Sequence, residues 1–129
     1  LAEGALNAAL KYSHEREAFG KKIYRFQGIG MQLAEIATEI EAARHLVYHA
    51  SYLKDQGSDV VKAAAMAKLK ASETAVRASN IALQVHGGYG FIKEFQVERF
   101  FRDAKVLTIG EGTSEVQKLV ILKQLMKGL

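Results

Sequence analysis

Not one of the 129 residues is proline, and this absence, joined to a helical spacing of apolar residues, constrains the fold more than anything else in the sequence. Proline inside a helix removes a hydrogen bond and clashes with the preceding turn, at about 3 kcal/mol or more. A chain without it is free to run long uninterrupted helices, and the apolar pattern uses that freedom. Ile29, Leu33, Ile36, Ile40, Ala43, Val47 and Ala50 follow one another at alternating steps of four and three, which draws a single stripe along a helix. Taken from Ile29 to Lys54, such a helix is about 39 Å long. Gln56-Gly57-Ser58-Asp59 stops it and caps the next.

From Val60 to Val85 two stripes run side by side: Ala65, Leu69, Ser72, Val76, Ser79 and Leu83, next to Ala71, Ala75, Ala78, Ala82 and Val85. A face this wide, built of small residues, lets neighbouring helices approach closely, so this helix is expected to be the most buried. A first helix covers Ala2 to Glu17 with Ala2, Ala5, Ala9 and Tyr12 inward, and a last one begins near Thr113 with Val116, Leu119, Val120 and Leu122 or Ile121 toward the core. Between them Val97 to Ala104 forms a short helix supported by Glu98–Arg102 and Arg99–Asp103 pairs at i,i+4. The fold class expected is all-α: an up-down-up-down four-helix bundle with one short extra helix, as a single domain over 1–129.

Composition excludes several classes of function. Without cysteine there is no disulfide framework and no thiolate zinc site. The net charge of +4 is modest, and basic residues alternate with acids, as in His14-Glu15-Arg16-Glu17; nucleic-acid binders gather them on one face. No apolar run reaches the ~20 residues of a membrane span, and the N-terminus lacks the basic start and apolar stretch of a signal peptide. A di-iron carboxylate bundle needs Glu-x-x-His on two helices, and none of His14, His45, His49 and His86 has Glu three residues before it. Glu41 and His45 share a helix face, opposite the apolar stripe, and are expected in solvent; no metal site is expected. His86 is read as a loop residue of structural or cofactor-contacting role, with a base as the alternative.

Three glycine-bearing loops carry what chemistry there is: Phe19-Gly20-Lys21-Lys22, Gly87-Gly88-Tyr89-Gly90-Phe91 and Gly110-Glu111-Gly112-Thr113. Gly87-Gly88-Tyr89-Gly90 is neither a dinucleotide fingerprint nor a P-loop; it either turns the chain or lets backbone N–H groups approach a ligand. Glu111 precedes a helix start that Thr113 or Ser114 can cap. As an acid near a helix N-terminus it is favoured by about 0.3–1 kcal/mol. Glycine on both sides also opens space for a substrate to reach the carboxylate, which becomes a general base if an apolar ligand desolvates it. Spacing alone leaves base and cap both open.

The loops together resemble a known family. Arg16-Glu17-Ala18-Phe19-Gly20-Lys21-Lys22-Ile23 with Phe26-Gln27, Gln84-Val85-His86-Gly87-Gly88-Tyr89-Gly90-Phe91, Arg102-Asp103-Ala104-Lys105 and Glu111-Gly112-Thr113-Ser114-Glu115-Val116-Gln117 are similar, in order, to four motifs of the acyl-CoA dehydrogenases. They cover the C-terminal helical domain of that family and not its N-terminal helical or central β-domain. The resemblance implies oxidation of acyl-CoA thioesters to trans-2-enoyl-CoA with FAD, electrons passing to an electron-transfer flavoprotein. It implies that Glu111 is the base for the pro-R α-proton while the β-hydride goes to flavin N5. The thioester carbonyl would be held by the Glu111 backbone N–H and a ribityl hydroxyl, an oxyanion-type stabilisation.

The resemblance also implies that Arg16, Phe19, Gln27, Gln84 and Gly88 reach the pyrophosphate and adenosine end of FAD, largely that of a neighbouring subunit. Thr113 and Glu115 match positions near the cofactor, though some relatives carry Gln where Glu115 stands. A homodimer or homotetramer in the bacterial cytoplasm or mitochondrial matrix is implied, with an isolated domain that turns nothing over. The alternatives are a non-catalytic helical oligomerisation module and a related flavoprotein oxidase or desaturase on the same scaffold.

Overall fold

The computed structural model describes residues 1–127; the last two positions of the expected domain, Gly128 and Leu129, lie outside it. Among the described residues there are five α-helices: α1 (Ala2–Glu15), α2 (Gln27–Asp55), α3 (Val61–His86), α4 (Val97–Leu107) and α5 (Ser114–Leu125). Two short strands, β1 (Glu17–Ala18) and β2 (Lys21–Lys22), pair antiparallel between α1 and α2. The all-α bundle with an additional short helix, α4, is therefore the observed architecture.

Helix α3 is the axis on which the others pack, since α1, α2, α4 and α5 all touch it. Its buried residues are almost all small, Ala75, Ala78, Ser79 and Ala82 among them, so backbones come close, as the double stripe predicts. The main core joins Ala5, Leu6 and Ala9 of α1 with Leu33, Ile36 and Ile40 of α2 and Ala78, Ile81, Ala82 and Val85 of α3. A second, small cluster of Ala50, Ala63 and Ala67 lies toward the α2–α3 turn. There Gly57 takes φ +66°, and the Asp59 carboxylate accepts from the Val61 N–H at 3.0 Å, the stop-and-cap arrangement read from Gln56-Gly57-Ser58-Asp59.

Five details differ from the sequence reading. Helix α1 stops at Glu15 instead of Glu17, because Phe19 (φ +51°) and Gly20 (φ +77°) form a tight turn whose two left-handed residues suit a two-residue hairpin. Val47, although on the α2 stripe, is 41% exposed. His86 is the last residue of α3 and not part of a loop. In α5, Val116, Leu119 and Leu122 are exposed while Ser114, Gln117, Val120 and Ile121 turn inward. That helix is apolar on nearly every side, so periodicity could not choose its buried face; its exposed Lys118 lies 3.5 Å from Glu73 of α3. In α4, Glu98–Arg102 closes at 3.6 Å, and Arg99 and Asp103 form no ion pair.

Candidate functional site

The expected site residues fall into two groups at different levels of the bundle. At the end formed by the C-termini of α1 and α3 and the start of α2, Arg16 and Gly88 line one cleft of about 500 Å³ together with Tyr12, His86 and Tyr89. The Arg16 guanidinium lies 5.9 Å from the Tyr89 ring centroid. Gly88 is exposed with nothing within 4 Å of where a Cβ would stand, so the cleft is open at its backbone. Phe19, Gln27 and Gln84 are at the same end but outside this cleft. Phe19 stands at the hairpin tip, 95% exposed and edge-on to Phe26. Gln27 opens α2, and Gln84 is exposed in the last turn of α3 with its carbonyl accepting from the Gly87 N–H.

An aromatic cluster that the sequence did not signal anchors this end. His86 is 6% exposed, its Nδ1 lies 2.7 Å from the Ala82 carbonyl, and its ring stacks on Tyr12 at 4.2 Å and meets Phe95 edge-on. Burial holds the imidazole below its ordinary value of 6.5, against the raising effect of the Ala82 hydrogen bond. The folded pKa is thus the lower one. The stabilising contribution of neutral His86 is fully present above 6.5 and is lost as pH falls toward the folded value. A His86→Leu variant is expected to lose less stability between pH 7.5 and 5 than the parent, read as a smaller drop in unfolding midpoint; an identical drop would remove His86 from the pH response.

The second group surrounds the turn from α4 to α5. Thr113 caps α5, its Oγ1 accepting from the Val116 N–H at 3.3 Å, so the capping duty that was one reading of Glu111 belongs to Thr113. Thr113→Ala is expected to cost about 1 kcal/mol, measured by thermal or urea unfolding. Thr113 and Glu115 line a cleft of about 540 Å³ with Ser114, Arg77 and Lys105, and the Ser114 hydroxyl is buried without a partner. The Glu115 carboxyl is held below the usual range chiefly by its own backbone N–H, then by the Thr113 hydroxyl, with Lys118 and Lys105 adding to it. It acts there as an acid at a helix N-terminus.

Glu111 lies between Gly110 and Gly112 with φ +56°, and Gly112 follows at φ +90°. A left-handed glutamate costs roughly 1–3 kcal/mol and persists only where its surroundings enforce it. Here Gln117 Nε2 donates to the Glu111 and Gly112 carbonyls at 3.1 and 3.3 Å, and Lys68 Nζ donates to the Gly112 carbonyl at 2.6 Å. Gln117 belongs to the Glu111–Gln117 motif, whose sequence assigns it no role, and Lys68, 44 residues away, carries no signal in the sequence. No backbone carbonyl among the described residues accepts from the Glu111 N–H. Glu111 lines a largely apolar groove of about 680 Å³ between α1, α2, α3 and α4. Glu41 and His45 pair with each other in solvent at 3.3 Å, and no cluster of three potential metal ligands occurs among the described residues.

Lys68, beside the Glu111 loop, and His86, in the other cleft, are both on α3 and about 27 Å apart along its axis. Comparison with known proteins gives this division a context. The family model described as acyl-CoA dehydrogenase, C-terminal domain, matches residues 1–126. A probable acyl-CoA dehydrogenase, YngJ, of Bacillus subtilis is 54% identical over 127 residues, 98% of this chain and 33% of the relative. Subunit CarC of a caffeyl-CoA reductase–Etf complex from Acetobacterium woodii is 50% identical over 98% of this chain and 34% of its own length. The structure of butyryl-CoA dehydrogenase from Megasphaera elsdenii superposes with a TM-score of 0.95 at 46% identity, over 97% of this chain and 33% of that one. The chain thus spans about a third of the proteins it matches.

Proposed function

The chain belongs to the acyl-CoA dehydrogenase family as its C-terminal helical domain, and from that membership we propose that the full-length protein is a FAD-dependent oxidoreductase that takes acyl-CoA thioesters to trans-2-enoyl-CoA. In this reading the domain supplies the base and part of the cofactor site. The observation that carries it is Glu111, a non-glycine residue in left-handed conformation between two glycines, whose backbone N–H meets no backbone carbonyl. That N–H is available to hold the thioester carbonyl, which stabilises charge developing toward the enolate. The carboxylate of the same residue takes the α-proton onto an oxygen. Gln117 and Lys68 bind carbonyls of the loop, which fixes the direction in which the Glu111 N–H points.

The residues present fit FAD. Arg16 offers a planar fork for a diphosphate, Gly88 leaves room for a backbone approach, and Ser114, whose buried hydroxyl has no partner, borders a cleft with Arg77 and Lys105 at a helix N-terminus. Bound FAD supplies the acceptor for the β-hydride. We assign Arg16, Phe19, Gln27, Gln84 and Gly88 to the diphosphate–adenosine end and Thr113 to the part nearer Glu111; Glu115 serves the helix instead of a phosphate, because an ionised acid repels one. The separation of about 27 Å along α3 favours a homodimer or homotetramer in which each end group serves a neighbouring subunit's cofactor. The exposed apolar face of α5, with Leu119 65% exposed, supports such assembly.

An electron-transfer flavoprotein is the proposed acceptor, in keeping with the Etf complex to which one relative belongs. That relative's name also supports a second reading, enoyl-CoA reduction, in which Glu111 returns the proton. No helix is long and apolar enough to cross a membrane among the described residues; bacterial cytoplasm or mitochondrial matrix is the proposed compartment. The experiment is a panel of acyl-CoA and enoyl-CoA thioesters mixed anaerobically with the full-length protein. Loss of flavin absorbance on adding an acyl-CoA supports the proposal, re-oxidation of reduced flavin by an enoyl-CoA alone supports the reductase, and an unresponsive flavin leaves the domain an assembly module.

A further inference from the structure

Lys68, in the second turn of α3, uses its ammonium on backbone. Its Nζ donates to the Gly112 carbonyl at 2.6 Å, and it joins none of the ion pairs among the described residues. Ordering a long side chain costs rotamer entropy, and what this one meets is the bend between α4 and α5. Gln117 Nε2 reaches the Glu111 and Gly112 carbonyls together, at 3.1 and 3.3 Å. Two neighbouring carbonyl dipoles therefore converge on one side of the bend, an arrangement that a facing positive charge offsets. The Ser114 N–H closes the bend on the Thr108 carbonyl at 3.1 Å. Lys68 is the charged member of this clamp, and with Gln117 it fixes the two peptide planes that follow Glu111.

The charges around the bend show what else Lys68 does. The ionic residues lining the 680 Å³ groove are Glu3 of α1, Arg44 of α2, Lys68 of α3 and Glu111, with the Tyr48 phenol beside them. Arg44 is matched by Glu3 at 3.2 Å and by Glu41 at 3.1 Å. On the other side of the bend, Lys118 of α5 pairs with Glu73 at 3.5 Å, and Glu115 shares its cleft with Lys105 and Arg77. Lys68 and Glu111 remain as opposite charges on one largely apolar lining, neither in an ion pair among the described residues. We propose that Lys68 is a positioning residue for the dehydrogenation: it holds the Glu111 bend through the Gly112 carbonyl and, as the unmatched cation of the groove, sets the pH at which Glu111 accepts a proton. This rests on the reading of Glu111 as the base. When an acyl chain displaces water, desolvation favours the neutral carboxyl and a neighbouring cation favours the ionised one. The dielectric falls in the same step, so the cation counts for more. Lys68 acts through Glu111 and touches no reacting atom.

The test is made in the full-length flavoprotein, with flavin bleaching by saturating acyl-CoA followed anaerobically across pH. Lys68→Met keeps the length of the side chain and removes both donor and charge. It is expected to retain FAD and to bleach about tenfold more slowly near pH 7, since a small misplacement of a catalytic group costs that much or more. The midpoint of its rate against pH should rise by about half a pH unit or more, because loss of a cation raises the carboxyl pKa. Lys68→Arg should bring the midpoint back, whereas Gln117→Leu, which removes an uncharged donor, should slow bleaching and leave the midpoint in place. Without substrate, amide hydrogen exchange over Thr108–Gln117 should be faster in Lys68→Met than in the parent, a readout of the clamp that needs no turnover. An unmoved midpoint in Lys68→Met, or a KM that rises at constant kcat, overturns the proposal, the latter in favour of a substrate-binding lysine. A parent flavin that acyl-CoA fails to bleach, or Glu111→Gln bleaching at the parent rate, removes the base and this proposal with it, and shows before Lys68 is altered. Lys68→Gln repeats the measurements if Lys68→Met does not fold.

Discussion

Glu111→Gln in the full-length flavoprotein is expected to keep its FAD and to lose at least about 100-fold in the rate of flavin bleaching by acyl-CoA, within the roughly 10²–10⁴-fold that a positioned general base contributes. Glutamine keeps the length and shape of glutamate and removes only the charge and the capacity to accept a proton. The contacts that hold the loop are untouched, because Gln117 and Lys68 bind backbone carbonyls and not the carboxylate. The α5 cap is untouched too, since it comes from Thr113. Substrate binding should therefore survive, with kcat falling far more than KM rises. Bleaching at the parent rate would end the proposed role of Glu111; bleaching reduced together with FAD content would assign it to the cofactor site.

What the sequence made legible was whatever repeats or sits within a few residues. The α2 stripe from Leu33 to Ala50 and the small-residue faces of α3 appear in the structure as buried faces, because a 3.6-residue period forces them onto one side. The same rule failed for α5, where apolar residues on all sides leave the period without a preferred face, and for Val47, where a stripe has no neighbour to bury it. Glu111 was legible as unusual from its flanking glycines. The reason it holds a left-handed backbone was not, because Lys68 reaches it from 44 residues away. The Tyr12–His86–Phe95 stack was invisible for the same reason: three residues on three separate segments meet only after folding.

The glycine bend separates stability from binding, and two neighbouring substitutions should show it. Gly90 is buried, and a Cβ there would stand 2.4 Å from the Leu83 carbonyl oxygen and 3.1 Å from His86 Cβ. Leu83 belongs to the last turn of α3, so its carbonyl can retreat only by distorting the helix that organises the whole bundle. Gly90→Ala is expected to destabilise the full-length protein by about 2–3 kcal/mol, the upper part of the range for overpacking a core, with FAD lost as the Arg16–Gly88 cleft is pushed apart. Gly88, two residues earlier, has nothing within 4 Å of its Cβ position. Gly88→Ala should therefore leave the unfolding midpoint of the apoprotein within about 0.5 kcal/mol of the parent. Its methyl group would enter the cleft beside Arg16 and weaken FAD binding by about tenfold, equivalent to about 1.4 kcal/mol, as read by flavin fluorescence on dilution. If Gly88→Ala lowered stability as much as Gly90→Ala while FAD affinity stayed level, the bend would be a folding element only, and the cofactor assignment of Gly88 would fall with it.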